Sequence, residues 1–458
     1  PMSSAKRARE DDCSDQASGT KRARTGAVQA RAHRLELPGV VHPKCVLAGR
    51  NDELFIGTMT ALYLQVNGRV ALIAGHSSET GFEDGHGDEA RFDGIYGLAL
   101  ECDGSVLVSD SGNHSVRRVS RHGQVSTVAG NGEKGFADGA GDAARFNWPE
   151  GIEVDRQGLI YVADTYNHCI RRVQPADGTV STLCGKGKEE GCANGPAAEA
   201  RFNKPSGLAL DMNEDLIIAD CDNHSVRMVT LSDGRVTTVA GSVEGYGAGE
   251  GYGDGTGTAA RFNFPNAVTV DGSNAIFVAD SWNDMVRRIS DEGGVVTTFC
   301  PEYAGCDIYE PLSITINGKG QLLLIDIDHQ TLENDSGLCV VQGGVVPPRL
   351  RPTAMETVDQ KALRMLQADY SRLLEDMSRA DVAFAADGGI VRAHRLILAV
   401  RSPYFRALFE NGSEARASVD DPIPMPGIPA SEFEAVLRFL YSHKLPTMAE
   451  FSQGLCLC

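Results

Sequence analysis

The sequence predicts a mainly β fold, a closed array of repeated four-stranded units followed by a smaller α+β domain, and three observations carry the first part of that reading. The dipeptide Arg-Phe recurs at Arg91-Phe92, Arg145-Phe146, Arg201-Phe202 and Arg261-Phe262. Each of these arginines is followed by an Asp 19 positions later and an Asn three positions after that, giving Asp110/Asn113, Asp164/Asn167, Asp220/Asn223 and Asp280/Asn283. Between copies the separations are 54, 56 and 60 residues, and all of the variation falls in the Gly-rich stretch before Arg-Phe, which marks that stretch as a loop and the rest as the packed element. Within one unit, residues 151–154, 159–163, 168–173 and 179–183 are short β-rich runs separated by turn residues. A four-stranded unit repeated with fixed internal spacing is the signature of a β-propeller blade.

Taken in order, the chain opens on a basic tail, residues 1–32. Lys6, Arg7 and Arg9 form one cluster and Lys21, Arg22 and Arg24 a second, separated by polar, acidic and small residues. Such a segment cannot bury enough apolar surface to fold and is expected to be disordered. Read plainly it is a solvated charged tail; the pairing of clusters also resembles a bipartite nuclear localisation signal, which implies a nuclear import receptor as partner and a location in the nucleus, the cytoplasm or both.

The array is expected over residues 35–345. Its four strong copies begin near Gly94, Trp148, Lys204 and Phe264. Pro311 precedes Asp326 by 15 positions, the interval from Pro265 to Asp280, so a further unit follows in which His329 stands where the Asn would be. Pro43 precedes Thr58 by the same 15, giving a first unit that has lost both the Asp and the Asn. Six blades result. Atypical terminal copies are expected where an array is capped or closed, and residues 34–37, Arg-Leu-Glu-Leu, are a candidate closing strand.

Composition bounds the function. The chain has 458 residues, a net charge of -19 and 12 cysteines. Residues 1–34 hold eight Lys/Arg against four Asp/Glu, so the acidic surplus lies in the body. An acidic body argues against nucleic acid as a partner, because phosphate binding needs a positive surface. No apolar run approaches 18 residues and the N-terminus is polar, so neither a membrane partner nor a signal peptide is expected. The cysteines lie singly and read as buried or idle thiols of a reducing compartment.

The phrase Val-Ala-Asp-x-x-Asn-His-x-(Ile/Val)-Arg-Arg, preceded by Phe-x-Asp-Gly-x-Gly-x-x-Ala-Arg-Phe-Asn, resembles the NHL repeat. The likeness covers about 300 residues and implies a six-bladed propeller used mostly as an interaction platform. The repeated Asp, Asn and Arg sets are read as turn and blade supports, since a single active site needs asymmetry. Catalytic residues are not expected, nor a cofactor. Some related propellers hold a metal in the central channel, but no convergent ligand set is readable here, and Asp-Gly-x-Gly lacks the alternating oxygens of a calcium loop. Function is sought where blades differ on a shared face. The Gly-rich loops and the Asp-x-x-Asn turns lie on one side of a four-stranded meander, and there the unit's first position varies as Gly94, Trp148, Lys204, Phe264, and the position before the turn Asn as Gly112, Tyr166, Asp222, Trp282. Large aromatics at nonrepeating, polar-rimmed positions are typical interface anchors. Tyr96, Trp148, Tyr166, Lys204, Phe264 and Trp282 are therefore the candidate face for a protein partner; the plainer reading has the aromatics shielding the blades beneath.

After residues 347 and 348, both Pro, a Pro-rich linker and an amphipathic helix are expected over 346–379, with Met355, Val358, Leu366, Tyr370, Leu373 and Met377 on one face. From residue 380 on, Asp381-Val-Ala-Phe, Ala393-His394-Arg395, Ser402-Pro-Tyr404-Phe405 through Phe409, and a late Leu437-x-Phe-Leu-Tyr441 closely resemble the BTB/POZ domain, an α+β fold. The resemblance implies a homodimer and, commonly, a cullin as partner, with Asp381, His394 and Arg395 in a charged pocket and Ser402, Tyr404, Phe405 and Phe409 leading to the cullin-facing surface. Only 78 residues run from Asp381 to Cys458, so the family's last helices are expected to be missing. After Phe409, Gly412-Ser413-Glu414 lacks the apolar residue of a cullin-binding turn. The function these readings imply is an interaction adaptor, not an enzyme: the propeller holds a target, and the BTB domain dimerises and links it to a ubiquitin ligase. The alternatives are a nuclear dimeric scaffold without ligase activity, an RNA-binding propeller and a channel metalloenzyme.

Overall fold

The computed structural model describes residues 31–348 except 245–248, 292, 300–307 and 329–334, and beyond them 380–395, 398, 405, 408–409, 418–431, 433 and 437. The basic clusters of the tail, His329, the expected linker helix, Ser402 and Tyr404 lie outside the described residues. Two units, Pro1–Thr353 and Ala354–Cys458, make up the chain.

Six antiparallel sheets form the first unit. Blade I takes Cys45–Ala48, Leu54–Gly57, Ala61–Val66 and Arg69–Gly75. Blade II takes Ile95–Leu100, Val106–Asp110, Ser115–Val119 and Gln124–Ala129. Blade III takes Pro149–Val154, Ile160–Asp164, Cys169–Val173 and Val180–Cys184, each strand beginning and ending within two residues of the boundaries expected from sequence. Blade IV follows with Pro205–Leu210, Leu216–Asp220, Ser225–Thr230 and Arg235–Gly241, and blade V with Pro265–Val270, Ile276–Asp280, Met285–Ile289 and Val295–Thr298. Blade VI has only Ser313–Ile316, Gln321–Asp328 and Asp335–Gln342 from its own stretch of chain.

Arg31–Leu35 supplies the missing outer strand of blade VI, pairing antiparallel with Asp335–Gln342 from Arg31 opposite Gln342 to Leu35 opposite Leu338. That strand starts two residues inside the segment assigned to the tail, and its register shows how the array closes. Arg34 on it forms a bidentate pair with Asp326, at 3.0 and 2.9 Å.

Packing between blades builds the ring. Strand alternation turns one apolar face of each sheet toward the next, and six buried clusters result, one at each blade junction. The junction of last and first blades joins Val46, Ile56 and Tyr63 to Leu323, Ile325 and Leu338. Each fully buried Val, Leu or Ile contributes about 1.5–3 kcal/mol, so closing the ring adds a whole interface. Near the axis, inner strands approach so closely that a Cβ on Gly97 would stand 2.0 Å from the Glu150 carbonyl oxygen, and one on Gly151 would stand 2.1 Å from that of Ser206.

Within blades II to V one polar network repeats. In blade III the Asp164 carboxylate accepts from the Asn147 N–H (2.7 Å), from Asn167 Nδ2 (2.9 Å) and from Arg171 Nη1 (2.7 Å). Arg171 also donates to the Ala137 carbonyl and to Asp138, and its guanidinium lies over the rings of Phe136 and Phe146 at 4.8 and 5.3 Å. Arg117, Arg227 and Arg287 repeat the pattern, and all four are among the largest fully buried side chains. A buried charge is tolerated only when paired and hydrogen-bonded, which is what the network provides. It also accounts for Asp-Gly-x-Gly: Asp84, Asp138 and Asp254 accept from the buried arginine and from an outer-strand Thr. The loop thereby crosses its own blade's edge, where Gly85–His86, Gly195–Pro196 and Gly255–Thr256 add a short fifth strand that shields the exposed backbone.

In the second unit, Val382–Asp387 lies between Gly389–Ala393, antiparallel, and Ile423–Pro429, parallel. Helical backbone at Arg395, Leu398, Phe405, Leu408, Phe409, Phe433 and Leu437 borders it. Phe384, Phe405 and Phe433 meet at 4.9–6.3 Å in its core. Among the described residues no helix is long and apolar enough to cross a membrane, and all seven described cysteines are free.

Candidate functional site

The site is built on the short segment that leads from each Gly-rich loop into an inner strand. Its first position is held in left-handed backbone in all six blades: His42, Gly94, Trp148, Lys204, Phe264 and Glu310 have φ of 49, 84, 58, 47, 50 and 40°. Glycine adopts this conformation freely, whereas a bulky side chain there is strained by about 1 kcal/mol or more. The strain is held by a latch between blades. The N–H of Trp148 donates to Nδ1 of His114 in blade II at 3.1 Å, that of Lys204 to Nδ1 of His168 at 3.2 Å and that of Phe264 to Nδ1 of His224 at 3.1 Å. Asp284 replaces the imidazole for the Glu310 N–H, at 2.8 Å. Burial lowers the pKa of His114 and His168, which keeps each imidazole neutral and Nδ1 free to accept. The repeated histidines are thus structural, while the residues they anchor are not repeated.

These anchored side chains meet those of the neighbouring turns. Trp148 lies 5.8 Å from Tyr96 and 6.3 Å, edge-on, from Tyr166. Lys204 Nζ sits 5.7 Å from the Tyr166 ring and 2.6 Å from Asp222, and this ion pair outweighs the burial that would lower its pKa. Phe264 packs on Trp282 at 4.3 Å and on His224 at 4.7 Å. The structure therefore brings the six expected face residues together in two groups, one over blades II to IV and one over blade V. Tyr166 is 47% exposed and Trp282 51%. Trp148, Lys204 and Phe264 are half-buried, so their rings both support the exposed pair and border it.

Two positions further along, sequence reasoning missed a ring. After the proline or its equivalent, the inner strands carry Lys44, Tyr96, Glu150, Ser206, Asn266 and Leu312, all lining the central channel, and only Tyr96 was among the expected residues. In blades II to V a register shift between the first two strands falls at this residue, as between Pro149 and Ile152. A bulge re-aims a side chain out of the strand's alternation, here toward the channel. The variation test that picked out Trp148 and Lys204 also marks this neighbour, which changes in every blade. Glu150 is the acid of the ring. It is half-buried, and desolvation pushes its carboxyl up to about 7 against the hydrogen bond from the Trp148 side chain. Tyr96 is pushed up as well, by burial first and then by Glu150. The arginine that holds each of blades II to V was also missed: it stands 26 positions after the Arg of Arg-Phe, an inward position in the strand alternation, and a second Arg follows it in three of the four.

The second unit corrects one expectation. Phe405 and Phe409, expected on a dimer or cullin surface, are 3% and 8% exposed and belong to the core. They are large apolar residues on the inward side of a helical stretch, and Phe405 packs on Phe384 of the sheet at 5.7 Å. Asp381 is exposed and its carboxylate accepts the Arg395 N–H at 2.6 Å, capping the helical segment. The Arg395 guanidinium lies 4.5 Å from the Phe409 ring. Among the described residues there is no group of three or more His, Cys, Asp or Glu placed to hold a metal ion.

Fold and site define a modular propeller protein whose nonrepeating residues gather on one face and in the channel mouth. The family models agree: NHL repeat matches residues 146–173 and 202–227, and BTB/POZ domain matches residues 370–455. The chain carries NHL repeats and a C-terminal BTB/POZ domain, modules that indicate a protein-interaction adaptor. It is similar to "NHL repeat-containing protein 2" of Bos taurus, 33% identical over 172 residues, 34% of this chain and 24% of that protein. "Protein SUPPRESSOR OF QUENCHING 1, chloroplastic" of Arabidopsis thaliana is 24% identical over 316 residues, 63% of this chain and 30% of that protein. The C-terminal part is similar to "TD and POZ domain-containing protein 3" of Mus musculus, 35% identical over 90 residues, 20% of this chain and 24% of that protein. The chain thus spans under a third of the length of these relatives. Among solved structures, a gluconolactonase from Xanthomonas campestris is 14% identical with a TM-score of 0.46, covering 69% of this chain and 90% of that one. Likeness at that level carries no argument about activity.

Proposed function

We propose that this protein is a substrate adaptor: the propeller face bearing Trp148, Tyr166, Lys204, Phe264 and Trp282 binds a target protein, and the BTB/POZ domain dimerises and links the complex to a cullin-type ubiquitin ligase. The observation that carries the target-binding part is the pair of exposed aromatics, Tyr166 and Trp282, at nonrepeating positions of an otherwise repeated framework. Each is backed by a residue that the inter-blade latch fixes in left-handed backbone, Trp148 beneath Tyr166 and Phe264 beneath Trp282, so the exposed rings stand on a rigid support. No residue of the chain performs chemistry in this reading. The two basic clusters of the tail direct it to the nucleus through an import receptor.

The test is affinity recovery from cells with the full chain and with Tyr166→Ala and Trp282→Ala combined. Both side chains are half exposed, so the double variant should keep its thermal midpoint while losing the recovered target. An unchanged set of partners would remove the face from consideration. Recovery of a cullin with the wild-type chain supports the ligase link, and a dimer without any cullin would leave a dimeric scaffold in its place.

A further inference from the structure

The channel mouth contains a carboxylate whose nearest cation is already engaged. Glu150 projects from the bulge of blade III, with Tyr96 beside it on blade II and Ser206 on blade IV. Lys204, the neighbouring ammonium, is held 2.6 Å from Asp222. Lys44, on the same ring, sits on blade I with Tyr96 between, and the charges that act on Glu150 are those of Asp222 and Lys204. Deeper in the channel stands Glu153, whose Oε1 accepts the Val154 N–H. Between these groups the lining is mixed: Ser206, Asn266, Thr269 and Ser313 stand beside inner-strand aliphatics such as Leu98 and Leu208, most of whose surface is buried in the blade junctions.

A half-buried acid with aromatic rings beside it, in a mouth of mixed lining, is complemented by a long side chain ending in a positive charge. The stem lies on the apolar surface while the head meets the carboxylate and the ring faces. A metal ion would need several converging oxygen, nitrogen or sulfur ligands, and none converge on Glu150 among the described residues. Lys204 over the Tyr166 ring is the chain's own instance of a cation on this aromatic rim.

We infer that the mouth of the central channel is a socket for a lysine or arginine side chain of the bound protein, with Glu150 as its counter-charge and Tyr96 and Trp148 as its walls. The inference rests on the reading of this face as the target-binding surface and names the feature of the target that the face selects. It also gives a reason for keeping an acid where desolvation opposes its charge: the partner supplies a cation that is not already engaged elsewhere. Protonation of Glu150 opposes that pairing, so binding strengthens as pH rises through about 7.

The experiment uses the chain's scarcity of tryptophan. It has two, Trp148 and Trp282, so in a full-length Trp282→Phe background the fluorescence reports Trp148 alone. Nα-acetyl-lysine amide and Nα-acetyl-arginine amide are titrated at constant ionic strength, with Nα-acetyl-norleucine amide as the uncharged control. A saturable change with the basic probes, weakened at least about tenfold by Glu150→Gln and weaker at pH 5.5 than at pH 8, is the expected result. An equal response to norleucine, an undiminished response in Glu150→Gln, or no response to either basic probe overturns the socket. The face itself is tested separately by the Tyr166/Trp282 double variant. If target recovery depends on that pair while the probes fail, the socket alone is wrong; if the probes bind while recovery is indifferent to the pair, the face is wrong and the socket stands.

Discussion

Glu150 couples folding to pH more directly than any other residue of the face. Its carboxyl is raised from 4.5 to about 7 in the folded chain, so the folded state holds a proton that the unfolded state has already released. Stability from this group is therefore fully present below pH 4.5 and is lost as pH rises through about 7. Asp110, Asp164, Asp220 and Asp280 are also raised by burial, to about 6, and titrate with the same sign. A pH scan of the wild type alone would mix the five. Glu150→Gln removes one of them and leaves the aspartates in place, so the difference between the two proteins isolates the residue. Chemical denaturation should show Glu150→Gln gaining on the wild type by about 2 kcal/mol between pH 5 and pH 8. A constant difference across that range would mean that Glu150 is not desolvated as described.

At the scale of the element, the closing strand carries the ring's most concentrated dependence on one side chain. Asp326 is fully buried, and Arg34 is its bidentate partner from 292 positions away in sequence. Arg171 and its equivalents do this work within blades II to V; in blade VI the guanidinium comes from the strand that closes the propeller. Removing one partner leaves an uncompensated buried charge. Arg34→Leu should therefore cost about 2–3 kcal/mol, below the usual range for a fully buried pair because Arg34 is 39% exposed, measured as a lower denaturation midpoint. Adding Asp326→Asn should return most of the loss; a double variant no better than the single one would mean that the strand, not the ion pair, was disturbed. The strands themselves were legible from sequence, since Pro149–Val154 through Val180–Cys184 follow from alternation and turn residues. Hidden from such a reading were the bulge that turns Glu150 into the channel and the inward placement of Phe405 and Phe409, because both depend on what the neighbouring element presents. The αL backbone at Trp148 was hidden too: nothing in a tryptophan announces a positive φ, and only the imidazole of the preceding blade holds it there.

For the whole molecule, the net charge of -19 weighs against nucleic acid and is open to a direct test. A propeller can bind RNA only where lysines and arginines neutralise phosphates, and this one spends its arginines inside the blades: Arg117, Arg171, Arg227 and Arg287 are buried. Fluorescent oligouridine should accordingly show no retention by the full chain at about 50 mM salt, where such contacts are strongest. Salt-sensitive retention would reopen the RNA reading and point to the basic tail or to Lys44 and Lys204.

The sequence by itself determined the repeat, the blade boundaries and the slots where blades differ, because spacing and alternation are local properties of a chain that folds in units. The tertiary structure decided the rest. It closed the ring with Arg31–Leu35, set three of the four buried arginines between aromatic rings, and drew residues from three blades around one carboxylate, all of which depend on distances through space that sequence separation does not encode.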